Sequence, residues 1–154
     1  MASNEQSVSN RLSREKGTNI TYNNMLERSG PLNKKNKHFS RDIFTLALAF
    51  GYMENIRLSI DSKDNFLNSE NFGDNLPSLI NALAISKSKE GIQILAEDSS
   101  KIFEVAEEYA NGGLTILNSE YVGKEDQFID KLRILILKHN KDDRILKEIE
   151  EMNL

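Results

Sequence analysis

Apolar and polar positions divide the chain into a sparse opening stretch and a patterned remainder. From Met1 to Lys37, Ser, Asn, Lys and Arg dominate, and apolar residues are scattered (Val8, Leu12, Ile20, Tyr22, Met25, Leu26). So little apolar surface does not offset the entropy of ordering a chain. Residues 1–37 therefore read as a flexible, disordered basic N-terminal arm, in which Met25-Leu26 docks at most as a short turn before the Gly30-Pro31 break. Residues 38–139 read as a helical core domain and 140–154 as a C-terminal helical tail.

Within the core, Phe39-Ser40 opens the first helix. Ser40 is a good N-cap, Asp42 suits the positive end of the helix dipole, and Phe39 stands at staple spacing from Phe44. Ile43, Phe44, Leu46, Ala47, Leu48, Ala49 and Phe50 are apolar nearly all round, which predicts a buried helix ended by Gly51. Ile56-Arg57-Leu58-Ser59-Ile60 alternates with the period of a short strand, though without an evident partner, and Asp61–Asn75 reads as loop anchored by Phe66, Leu67 and Phe72. Asn75 and Pro77 start a second helix with Leu79, Ile80, Leu83 and Ala84 on its stripe. After a short apolar run from Ile92 to Ala96, the third helix is the clearest: Ile102, Ala106, Tyr109, Gly113 and Ile116 recur at helical spacing, with Glu104, Glu107 and Glu108 opposite. A fourth helix spans about 125–138 with Phe128, Leu132, Leu135 and Ile136, and Ile145, Ile149 and Met152 stripe the tail. The prediction is a mainly α protein of four to five helices with room for one short strand or hairpin.

Charge sharpens this division. The net charge is −4, but the segment through Arg41 carries eight basic and three acidic residues, whereas the remainder carries 12 and 21. An acidic body thus bears a basic arm. Cysteine is absent, so no disulfide or thiolate metal site is available, and no apolar run approaches the ~18 residues that cross a bilayer. The first ten residues lack the apolar segment of a signal peptide, so a cytoplasmic protein with no membrane partner is expected.

Catalytic patterns are missing. Gly112-Gly113 is followed neither by Lys-Ser/Thr nor by a third glycine, and no Gly-x-Ser-x-Gly elbow occurs. His38 and His139 each stand at an element edge, outside any set of three or four metal ligands. Glu104, Glu107 and Glu108 read as a solvated helix face. No enzyme and no cofactor is expected. Lys34, Lys35, Lys37 and Arg41 offer a cluster for nucleic-acid phosphates, opposed by the acidic body. Gly112 and Gly113 each cost about 0.5–1 kcal/mol in a helix, so a close backbone passage must offset them, either internally or at a partner interface. The narrow stripe Ile145, Ile149, Met152 suits docking on the body, on another copy or on another subunit.

Three stretches together resemble a known family. Asp42–Gly51 is similar to a "D-[IV]-F-x-L-A-x-A-x-G" helix, Leu79–Ala84 to a second helix, and Glu108-Tyr109-Ala110-Asn111-Gly112-Gly113-Leu114-Thr115-Ile116-Leu117 to an "E-Y-A-N-G-G-L-x-I-L" segment. These belong to small proteins associated with DNA-phosphorothioation (Dnd) restriction systems. The likeness covers about 30–117, and the helical C-terminus lies beyond it. The resemblance implies a non-enzymatic accessory or adaptor subunit of a bacterial antiphage-defence complex, in contact with larger ATPase or nuclease subunits. It also implies that Tyr109 and Leu114 are core residues and that Gly112-Gly113 is a packing site. A small nucleic-acid-binding regulator is the alternative, and a homo-oligomer is compatible with either.

Overall fold

The structure is a computed structural model and describes residues 10–96 and 99–139. In chain order it contains β1 (Arg11–Glu15), α1 (Asn19–Glu27), α2 (Ser40–Met53), β2 (Lys63–Asn68), α3 (Leu76–Lys87), α4 (Ser99–Tyr121) and α5 (Phe128–His139). Short 3-10 turns lie at Lys34–Asn36, Ser69–Asn71 and Gly91–Ala96. The class is mainly α with one two-stranded sheet, as the patterning predicts.

Crossing of α2 and α4 forms the centre. Ile43, Phe44, Ala47 and Leu48 from α2 meet Ala106, Ala110, Leu114 and Leu117 from α4, all buried. Two glycines, Gly51 of α2 and Gly113 of α4, let the two backbones touch, and Gly112 admits the chain just after α2. A Cβ on Gly113 would lie 2.6 Å from both the Ala47 carbonyl carbon and the Gly51 amide nitrogen, and closer still to the Ala47 oxygen. A Cβ on Gly51 would lie 2.8 Å from the Tyr109 carbonyl carbon, and one on Gly112 would lie 2.8 Å from that of Ile56. Gly51 therefore does not end α2, contrary to the sequence reading. The helix runs to Met53, and Asn55 supplies the left-handed residue at φ 53°.

The sheet corrects two further expectations. Ile56–Ile60 forms no strand. Its backbone lies along α4, with the Leu58 N–H donating to the Glu108 carbonyl at 3.1 Å and the Asn111 side chain donating to the Ser59 carbonyl at 3.2 Å. The strand is instead β2, in the segment read as loop, and its antiparallel partner β1 comes from the supposed arm. Leu12 pairs with Leu67 and Ser13 with Asn65, so Phe66 is the extra residue of a bulge.

From Asn10 onward, then, the arm is ordered structure. Leu12, Tyr22, Met25, Leu26 and Leu32 are all buried, and Tyr22 stacks edge-on against Phe66 with ring centroids 5.2 Å apart. Arg14 lies over both rings, at 4.9 and 4.8 Å. Leu12 of β1 and Tyr22, Met25 and Leu26 of α1 thus enter a shared core, whereas Ile20 stays exposed. Residues 1–9 lie outside the described set.

Candidate functional site

The four predicted basic residues come together at the entrance to α2. Lys34 and Lys35 form the 3-10 turn, Lys37 caps it in the left-handed region at φ 62°, and Arg41 lies in the first turn of α2. The turn is fixed from within: Asn33 Oδ1 accepts the Asn36 N–H at 2.9 Å, and Asn36 Nδ2 donates to the Gly30 carbonyl at 3.0 Å. Lys34 meets Glu27 at 3.5 Å with both side chains well exposed, and Arg41 lies 3.7 Å from Asp42. Lys35 and Lys37 are exposed and form no ion pair among the described residues. Phe39 is the N-cap residue, one position earlier than expected, and Asp42 accepts its N–H at 2.8 Å. The expected Phe39–Phe44 staple does not form, because the Phe39 side chain stands 59% exposed while Phe44 is buried. Lys34, Phe39 and Arg41 border a cavity of about 450 Å³ floored by Leu26, Phe66 and Leu67.

A second surface surrounds α5. Phe128 is buried, with its ring 4.8 Å from that of Tyr121, and Leu132 and Leu135 are half-buried. Ile129, Ile134 and Ile136 are exposed by 48%, 64% and 47%. Two grooves flank the helix. One, of about 740 Å³, runs past Leu46, Ala49, Phe72 and Leu132 to His38 and Arg41. The other, of about 450 Å³, lies between Phe50, Ile116, Leu135 and Ile134. Ion pairs tie α5 and the turn before it to the body. Lys138 and His139 both meet Glu54 at 2.9 Å, Lys131 meets Glu120, and Arg28 meets Glu125 at 2.9 Å. The Glu54 carboxyl is held below its ordinary range by the hydrogen bonds from His139 and then Lys138, and that of Glu120 by the one from Lys131. Glu125 is lowered by its own backbone N–H and then by Arg28. The signal for this surface was present in the run Ile134–Leu137, which is too continuous for one amphipathic face.

The acidic face of α4 differs from its reading as a solvated row. Glu104 is exposed, but Glu107 is 3% exposed: its Oε1 accepts the Ser13 N–H at 2.7 Å and its Oε2 meets Lys63 at 3.0 Å. This carboxylate ties β1, opposite the bulge in β2, to α4. Glu108 pairs with Arg57. His38 approaches Asp42 at 3.8 Å, and no group of three potential metal ligands forms among the described residues. Gly112 and Gly113 are both buried, Gly113 against Ala47 and Gly51 of α2 and Gly112 against Ile56 beyond it, so both serve packing within the chain. Ile145, Ile149 and Met152 lie outside the described residues.

Among the described residues, then, the chain is a small helical protein with a cationic entrance to α2, an apolar surface on α5 and no helix long and apolar enough to cross a membrane. Residues 13–154 match the family model described as DNA sulphur modification system-associated protein 4, and the chain belongs to that family. The match takes in Ser13–Glu15 of β1 and the whole of α5, both outside the stretch that carried the resemblance. Comparison with curated proteins and with solved structures gave no match.

Proposed function

We propose that this chain is a non-enzymatic accessory subunit of a DNA sulphur modification system, acting in antiphage defence by direct contact with a larger ATPase or nuclease protein of that system. The outer surface of α5 carries this reading. A helix with apolar residues on nearly every side belongs in an interior. Yet α5 is bound to its own body through Phe128, Leu132 and Leu135, and leaves Ile129, Ile134 and Ile136 bare. Family membership supplies the setting, association with a DNA sulphur modification system, and a partner protein of that system is the occupant we assign to this surface. Partner contact also accounts for the groove between α5, Phe50 and Ile116, whose rim charges Glu54, Glu120, Lys131 and Lys138 are already paired within the chain.

The test is co-purification of the tagged chain with the protein products encoded beside it. The reading expects a stoichiometric complex that is lost in the Ile134→Glu, Ile136→Glu double variant while the fold is retained. An inert monomer in the presence of all those products would overturn it, as would a complex indifferent to both substitutions.

A further inference from the structure

The entrance to α2 breaks a local rule with no structural return. An N-cap position favours Ser, Thr, Asp or Asn, whose side chain accepts a hydrogen bond from the first turn. Here it is Phe39, whose ring makes no cap bond, and the capping is done by Asp42 from inside the helix. The ring is not stapled into the core either, since it is 59% exposed. Beside it stand Lys34, Lys35 and Lys37, on a turn that the Asn33 and Asn36 hydrogen bonds fix, and Arg41 in the first turn of α2, whose guanidinium also donates to the Asn71 carbonyl at 3.4 Å. The nearest acidic groups are partly spent: Glu27 on a weak, exposed 3.5 Å pair with Lys34, and Asp42 on the Phe39 N–H and beside Arg41. The adjoining cavity of about 450 Å³ falls within the ~300–1,000 Å³ typical of small-molecule sites.

We propose that this entrance binds single-stranded nucleic acid, with one base stacked on Phe39 and flanking phosphates held by Lys34, Lys35, Lys37 and Arg41. An aromatic face set among cations is how sequence-tolerant single-strand binding is built, with stacking for the base and ammonium or guanidinium groups for the backbone. A single strand fits better than a duplex for two reasons. Its bases are free to leave the stack, and its flexible backbone follows a local cationic patch, whereas a rigid duplex is pressed against an otherwise acidic body. The site shares Arg41 with the groove beside α5 but none of the exposed isoleucines that carry the subunit contact, so variants at Phe39, Lys34, Lys35 and Lys37 test it apart from that contact.

The experiment uses the full chain and a short fluorescein-labelled oligothymidylate at low salt, with the duplex of the same length and a polyglutamate peptide beside it. Single-strand binding is expected to fall with salt at a log–log slope of up to about −3 for four phosphate contacts. At fixed salt, Phe39→Ala is expected to weaken it about tenfold with the slope unchanged. Lys34→Glu, Lys35→Glu, Lys37→Glu in combination is expected to abolish it. The chain has no Trp, so a Phe39→Trp variant carries a single indole whose emission is quenched when a base stacks on it. Circular dichroism of each variant confirms folding, since every altered side chain is exposed. The proposal is overturned by absence of single-strand binding at low salt, by binding indifferent to Phe39→Ala, by equal duplex binding without quenching, or by preference for the acidic peptide.

Discussion

Replacing Gly113 by alanine sets two physical effects against each other. Helix propensity alone predicts stabilisation, since Ala is better than Gly by about 0.8–1.0 kcal/mol in a helix interior. The structure predicts the reverse. The added methyl would sit 2.6 Å from the Ala47 carbonyl carbon and from the Gly51 amide nitrogen, and nearer than that to the Ala47 oxygen. These obstacles are backbone atoms of α2, so no side-chain rotation clears them and the helices must separate. A separation of 0.5–1 Å forfeits roughly a quarter to a half of each dispersion contact it opens. The affected contacts are those of Ala47, Leu48, Ala110 and Leu114 at the centre of the core. Overpacking of a close-packed core costs about 1–3 kcal/mol where side chains can adjust, and more where they cannot. With backbone obstacles the cost lies at the upper end, about 3–4 kcal/mol, and after subtracting the propensity gain the net destabilisation is about 2–3 kcal/mol. For a chain of 154 residues this is a fall in Tm of roughly 4–12 °C. Urea denaturation followed by far-UV circular dichroism reads it as a lower midpoint with an unchanged m-value. An alanine variant as stable as the parent, or more so, would refute the close-crossing account.

Other outcomes follow from the same geometry. Glu107→Ala leaves the buried Ser13 N–H without its acceptor, at a cost of about 1–3 kcal/mol. Glu107→Gln retains an acceptor and is expected to cost less, and amide exchange at Ser13 distinguishes the two. The Glu54 carboxyl is lowered in the folded state, so its pairs with His139 and Lys138 stabilise α5 above its ordinary value of 4.5 and are lost as pH falls through the lowered value. Acid titration followed at α5 amides should therefore show that helix loosening below pH 4.5, and Glu54→Gln should reduce that dependence, leaving the part that the lowered Glu120 carboxyl contributes through Lys131. Ile134→Glu by itself is expected to change stability by no more than about 0.5 kcal/mol, because the side chain is largely in solvent; thermal unfolding tests this.

Long periodic stretches were legible in the sequence. The buried faces of α2 and α4 follow directly from apolar spacing, and the burial of Tyr109 and Leu114 follows from the family likeness. What failed was local reasoning about residues whose roles are set by distant partners. Gly51 lies where a C-cap glycine would, and nothing nearby in the chain reveals that Gly113 passes over it. The β1 residues are too few and too polar to announce a strand without knowledge that Glu107 and Lys63 await them. Ile56–Ile60 has a strand's alternation, but its hydrogen bonds go to the side of a helix. At the entrance to α2 the cluster of cations was visible, while the exposure of Phe39 was not, because staple spacing pointed its ring inward.

The union of β1 with α4 also fixes an order of events during synthesis. Ser13 and Glu107 are 94 residues apart, and Leu12 enters a core completed only when α4 is present. As the chain leaves the ribosome, β1 and α1 emerge first and wait through the making of α2, β2 and α3. For that interval Leu12, Tyr22, Met25 and Leu26 have no finished interior to occupy. Contacts so distant in sequence form slowly, and unpaired strands and bare apolar surface invite association with other chains. A nascent chain stalled before α4 is thus the form most in need of a chaperone, and α4 the segment whose arrival ends that need.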